Sequence, residues 1–183
     1  MIAYKFLARG GVATISGFAW PLPSVVAPGA WVEVQGSLGV CSRGLHVCRA
    51  RDLAHWLNDE LWELETAGDE LAGIDCVVVG QARLLRRVDA WSNGGAARFA
   101  DACIAHAAEV VAGSADAALS GFVDDAKLAA AAGYVAVSAY CTALAVAKHL
   151  GPLAADPEYR RERQWQGAWL ERELALGARS PAL

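Results

Sequence analysis

The sequence predicts an α+β fold: a mainly antiparallel sheet with one crossing helix in the N-terminal half, and an alanine-rich helical bundle in the C-terminal half. Residues 1–90 contain short segments of alternating or continuous apolar side chains, which is the pattern of strands. From residue 91 onwards, apolar side chains recur at spacings of three and four, which is typical of packed helices. The chain has 183 residues, 55% of them apolar and 20% charged, which is a globular composition. We therefore expect 1–90 and 91–183 to pack as one compact domain.

The predicted strands begin at residues 3–7 (AYKFL). Residues 17–31 hold three prolines and two glycines and predict an irregular loop. Residues 31–35 and 61–65 alternate between apolar and polar side chains, which is the strand period. Residues 74–88 contain an unbroken apolar run and predict the strand at the centre of the sheet.

Residues 41–48 (CSRGLHVC) combine two cysteines and a histidine and could be a hairpin or a metal site. A hairpin with a three-residue loop places Gly44 at the left-handed position and puts Cys41 on the face opposite His46 and Cys48. Zinc would need all three ligands to converge on one point. A two-residue loop would unite them, but it would require a positive φ at an arginine. The ordinary hairpin is favoured, so we predict no metal.

The helices follow from apolar spacing and from their end signals. A helix over Asp52–Asn58, with Asp52 as its cap, is expected to cross the sheet. Four longer helices are predicted near residues 95–112, 115–131, 134–150 and 157–175, the last opened by Asp156 and Pro157.

The uncharged segment 128–147 is long enough to span a bilayer, but it is mainly alanine with a lysine at each end. A buried bundle helix is expected there instead of a membrane span.

The net charge and the amino-acid composition also restrict the cellular compartment and the binding partners that can be expected. A net charge of -4 argues against a general nucleic-acid binder, which would carry a basic surface. Five scattered cysteines, an odd number, indicate free thiols and a reducing cytoplasm. Abundant alanine, and 13 arginines against 3 lysines, indicate a GC-rich bacterial genome. Because small residues allow close helix contacts, the alanine-rich helices could form a homodimer.

A pocket is predicted between the hairpin, the Asp52–Asn58 helix and the strand near residue 63. His46 would be its polar or acid–base group, Trp56 and Trp62 its apolar walls, and Glu63 a second polar anchor. The favoured alternative for the glutamates is an ion-pair ladder on the sheet surface. In that case Glu63 and Glu65 would pair with arginines of the next strand at positions 83, 86 and 87.

The segments YKFL, GLHVCRARDLAHWL and ELWELE resemble a family of actinobacterial and phage proteins that carries a C-x-x-G-x-H-x-C hairpin and has no assigned activity. More distantly, the strand ending in GLHV and the helix after it are similar to ADP-ribosyltransferase-like folds. In those folds a first-strand arginine or histidine and a later glutamate handle NAD. The resemblance puts Lys5 at the first-strand position, His46 or Cys48 near the second-strand position, and Glu63 or Glu65 at the nicotinamide ribose.

Three functions are compatible with these patterns. The first is a cytoplasmic bacterial small-molecule-binding domain, with or without catalysis, whose pocket lies near His46. The second is an NAD-using transferase in which Lys5, Trp56, Trp62 and Glu65 hold the cofactor. The third is a non-catalytic homodimeric interaction module. The sequence identifies no cofactor and no substrate, and it predicts neither a nucleic-acid nor a membrane partner.

Overall fold

A computed structural model describes residues 1–151 and 157–177. Within these residues the chain forms five strands, four α-helices, one 3-10 helix and a π-helical turn at Trp91–Gly95, so the predicted α+β class is confirmed. The strands are β1 (Ile2–Leu7), β2 (Val32–Glu33), β3 (Leu45–Val47), β4 (Glu60–Ala72) and β5 (Val77–Arg87). The α-helices are α1 (Ala96–Val110), α2 (Ala117–Ala131), α3 (Val135–Leu150) and α4 (Pro157–Glu173), and the 3-10 helix is Ala50–His55.

The sheet is antiparallel and curls back on itself. Its main order is β1-β4-β5-β2, and β3 pairs with the first residues of β5. Cys48, which follows β3, exchanges two backbone hydrogen bonds with Tyr4 of β1, at 2.9 and 2.7 Å. This bridge brings β1 next to the end of β3, although the two strands are far apart in the sequence.

Both faces of the sheet are covered, which explains the continuous apolar run in β5. On one face the irregular N-terminal loop contributes Trp20 to a cluster with side chains of β1, β4 and β5. On the other face the helices pack through a chain of aromatic rings. Phe6 lies 5.0 Å from Trp91, Trp91 lies 6.0 Å from Phe99, and Phe99 lies 5.4 Å from Trp169, measured between ring centroids. The two predicted halves of the chain therefore share a core.

The four α-helices lie close to their predicted positions. The uncharged segment 128–147 is divided by a turn in which Gly133 has a φ of 81°, so it forms the end of α2 and most of α3. In the part of the chain that the structure describes, none of the helices combines the length and apolarity needed to cross a bilayer. Pro157 is the first residue of α4, whereas the predicted cap Asp156 lies outside the described residues.

Two predictions about local structure are wrong. The hairpin over residues 41–48 does not form in the predicted register: a tight turn is closed by one antiparallel bridge between Gly39 and Arg43, and β3 pairs with β5 instead of with residues 38–41. The predicted Asp52–Asn58 helix is instead the 3-10 helix, which begins two residues earlier and ends before Trp56. Asp52 lies in its first turn and does not cap it, because its carboxylate is held by Arg49 Nε at 2.5 Å.

Candidate functional site

A cavity of about 760 Å³ lies between the N-terminal loop, residues 41–48 and the 3-10 helix. Its volume falls in the range of pockets that hold small molecules, about 300–1,000 Å³. Much of its wall is apolar, and its aromatic members are Phe6, Phe18, Trp20 and Trp56. Its basic side chains are Lys5, His46, His55 and Arg163, and of the described residues that line it none is Asp or Glu.

Lys5 is the cavity residue with the most unusual environment. Strand alternation puts it on the same face of β1 as Ala3 and Leu7, which belong to the apolar cluster around Trp20. Its Nζ donates a hydrogen bond of 2.5 Å to the main-chain oxygen of His46 and lies 5.9 Å from the centroid of the Trp20 ring. No carboxylate of the described residues forms an ion pair with it within 4.0 Å. Because burial disfavours the charged form, the pKa of Lys5 is lowered.

His46 is held at both its main chain and its ring. Its backbone pairs with Val78 of β5, and its Nε2 accepts a hydrogen bond of 3.1 Å from the backbone N–H of Cys41. Since Nε2 is the acceptor, Nδ1 carries the proton in the neutral ring. Cys41 has a φ of 60°, so the loop takes its left-handed residue at this cysteine as well as at Gly44, where φ is 128°. The ring of His46 therefore stabilises this loop.

Two cysteines near His46, Cys48 and Cys76, have thiols whose pKa is raised by burial. Cys48 is buried, and burial raises the pKa of its thiol to about 12, so the thiol stays protonated at neutral pH. Burial also raises the pKa of Cys76. Over residues 1–151 and 157–177, no group of three or more His, Cys, Asp or Glu side chains has the arrangement needed for a metal ion.

The 3-10 helix, which ends beside the cavity, is fixed by side-chain contacts at its C-terminal end. Trp56 donates its indole N–H to the main-chain oxygen of Asp75 at 2.8 Å. Arg163 of α4 donates to the main-chain oxygen of Ala54 at 2.5 Å. Arg163 is therefore buried, although two other arginines, Arg160 and Arg161, lie just before it in the sequence. Burial, followed by the charge of Arg163, lowers the pKa of His55.

The structure does not bring the predicted glutamates to this cavity. Glu63 pairs with Arg86 and Glu65 with Arg83, each at 2.6 Å, because these residues face each other across β4 and β5. This is the ion-pair ladder that the sequence favoured. Trp62 is also absent from the cavity wall, since its side chain is buried in the cluster around Trp20.

A second cavity of about 490 Å³ adjoins the first and shares Leu57, Asn58 and Ala136 with it. Its acidic side chains are Asp59 and Glu60. Glu60 already accepts hydrogen bonds at Oε2 from a loop N–H and from an indole N–H, each at 3.1 Å. It therefore has a structural role, and the larger cavity is the better candidate site.

Three of the predicted site residues, Lys5, His46 and Trp56, line the larger cavity. The sequence reasoning missed Trp20, His55 and Arg163 as part of its wall. Trp20 carried a signal, because a tryptophan side chain is on average highly buried. Arg163 carried none, since an arginine beside other arginines usually indicates a solvated surface.

Comparisons of the chain with protein-family models, with curated proteins and with solved structures give no significant match.

Proposed function

We propose that this protein binds a small molecule, with an apolar ring and no positive charge, in the 760 Å³ cavity. The observation that carries the proposal is the combination of an aromatic wall with the amine of Lys5, which has a main-chain oxygen but no carboxylate as its partner. A partly buried amine without a carboxylate partner is costly in the protein alone. A ligand that fills the aromatic space and presents an acceptor to this amine removes that cost.

The NAD-using transferase is supported less well. It requires Glu63 or Glu65 at the ribose, and both are engaged by arginines of β5, away from the cavity. Binding of a compact aromatic molecule uses only residues that the structure places together. The function is therefore proposed as ligand binding at Lys5, His46 and Trp56.

The test uses 8-anilinonaphthalene-1-sulfonate, which combines aromatic rings with one anionic group. We expect its fluorescence to report binding to one site per chain. Ala136→Trp should weaken that binding at least about tenfold, because Ala136 lines the cavity near the start of α3. A tenfold change corresponds to about 1.4 kcal/mol.

The matched control is Ala118→Trp. Ala118 is also an exposed alanine at the second position of a helix, here α2, but it does not line the cavity. The Ala118→Trp variant should therefore bind the dye as tightly as the native protein does. Equal loss in both variants, or no saturable binding to the native protein, would contradict the proposal.

A further inference from the structure

We infer that Lys5 forms a reversible imine with an aldehyde or ketone bound in the cavity. This inference rests on the proposed function and adds the chemical class of the ligand. Its basis is geometric: Nζ belongs to a residue of the cavity wall, has one neutral hydrogen-bond partner at 2.5 Å, and has an aromatic ring 5.9 Å away. An amine in such surroundings is a suitable nucleophile for a carbonyl group.

The protonation state supports this chemistry. Only the neutral amine has the lone pair that attacks a carbonyl, and an ordinary lysine is neutral in roughly one molecule in 2,500 at pH 7. Burial lowers the pKa of Lys5, so its neutral fraction is larger. Its hydrogen bond to the oxygen of His46 uses one N–H and can persist in the neutral amine.

The surroundings also favour a carbonyl over other partners. Of the described residues that line the cavity none is acidic, so the cavity offers no counter-charge to a cationic ligand. The thiol of Cys48, which also belongs to the wall, is kept protonated by burial. At neutral pH the amine of Lys5 is therefore a better nucleophile for a bound carbonyl group than this neighbouring thiol.

The reaction balances without any further reagent. The lone pair of Nζ forms a bond to the carbonyl carbon, and the carbonyl oxygen takes up a proton to give a carbinolamine. That oxygen then leaves as water, and a carbon–nitrogen double bond remains. In total, the two protons of this water are the two that nitrogen has given up, counting the one taken up in the first step. One amine and one carbonyl give one imine and one water, and nothing is oxidised or reduced. Added water reverses the step.

The chain offers its own internal controls, because it has only three lysines. Lys127 forms an ion pair of 2.9 Å with Asp124, and Lys148 lies 3.7 Å from Asp116. Both therefore have a carboxylate partner, which Lys5 lacks.

The experiment treats the native protein with benzaldehyde at pH 7 in the presence of sodium cyanoborohydride. The hydride reduces any imine to a stable benzylamine, which is located by mass spectrometry after proteolysis. We expect a benzyl group on Lys5, added faster than on Lys127 or Lys148, because burial lowers the pKa of Lys5 and so enlarges the fraction of this amine that is neutral. Equal labelling of the three lysines, or labelling that spares Lys5, overturns the inference.

Two further measurements test whether misfolding, or a difference in solvent exposure between the lysines, explains the labelling of Lys5. Lys5→Met keeps an unbranched apolar side chain and removes the amine, so it should abolish this label and leave that on Lys127 unchanged. The second measurement needs no variant: the labelling rate of Lys5 should level off at a lower pH than that of Lys127. Identical pH profiles for the two lysines would overturn the inference even if the variant fails to fold.

Benzyl alcohol separates the two proposals, because it has the shape of benzaldehyde without the carbonyl group. Its binding is followed by ligand-observed NMR, with Ala136→Trp as the blocked cavity. Binding of benzyl alcohol together with trapping at Lys5 supports both proposals. Binding without trapping overturns the imine and leaves the proposed function standing. If neither benzyl alcohol nor the sulfonate dye binds, the proposed function falls as well.

Discussion

Gly167 of α4 provides a direct test of how the helical half holds the 3-10 helix beside the cavity. A Cβ atom at this position would lie 2.8 Å from the carbonyl carbon and 3.1 Å from the Cα of Arg51. These are backbone atoms of the 3-10 helix, so they cannot move aside as a flexible side chain would. Gly167→Ala should therefore push the two helices apart.

The magnitude follows from two opposing effects. Overpacking of a close contact costs about 1–3 kcal/mol. Alanine stabilises a helix by about 0.8–1 kcal/mol relative to glycine. Gly121 in the interior of α2 supplies the matched control, because a Cβ there meets nothing within 4 Å. Gly121→Ala should be stabilising, and the difference between the two variants isolates the steric effect of about 1–3 kcal/mol.

The free energy of unfolding is measured by urea titration, with the fluorescence of the seven tryptophans as the signal. In thermal melts of a protein this size, each kcal/mol corresponds to about 2–4 °C. Gly167→Ala should also reduce dye binding, because Trp56 at the end of the 3-10 helix lines the cavity. If the two variants were equally stable, the described contact between α4 and the 3-10 helix would be refuted.

Three other variants test the remaining contacts. Burial raises the pKa of Glu162, so the stability that its protonated form contributes is complete below its ordinary pKa near 4.5 and is lost as the pH rises. Glu162→Gln, which cannot ionise, should therefore become more stable relative to the native protein from pH 4.5 upwards. A constant difference in the free energy of unfolding between pH 4 and pH 8 would contradict this. His46→Ala removes the acceptor of the exposed Cys41 N–H, which water can replace, so urea titration should show a loss of about 1 kcal/mol or less. Gln166→Leu leaves the buried Arg163 without one of its hydrogen-bond acceptors, so the free energy of unfolding should fall by about 2 kcal/mol or more in the same titration. A smaller loss would mean that water enters and hydrogen-bonds to Arg163 in place of Gln166.

Local patterns in the sequence were enough to predict most of the elements. The spacing of apolar residues located all four α-helices, and alternation of charge with apolar side chains predicted that Glu63 and Glu65 face arginines of the next strand. These features depend on neighbours along a helix or on two adjacent antiparallel strands. Their physical causes are visible within a window of a few tens of residues.

The failures arose where distant segments decide the structure. The hairpin at residues 41–48 looked favourable locally, but its second half pairs with residues of β5 that lie 30 to 34 positions further on. The burial of Arg163 was missed because the sequence could not show that this side chain would meet the main-chain oxygen of Ala54. The expected homodimer through the alanine-rich helices stays a prediction, and sedimentation equilibrium would test it.

The pairing of β1 with β4 also has a consequence for synthesis of the chain on the ribosome. Leu7 lies opposite Glu60 and Ile2 opposite Glu65, so β1 lacks its main partner strand until about sixty residues have been added, and before then only the bridge to Cys48 is available. At translation rates of about 5–20 residues per second, that interval lasts roughly 3–12 s. During it, the apolar strand and its lysine remain uncovered in the nascent chain, whereas each later helix can form from its own residues. Slow codons before Glu60 should therefore increase the binding of nascent chains by chaperones more than slow codons within α2 or α3.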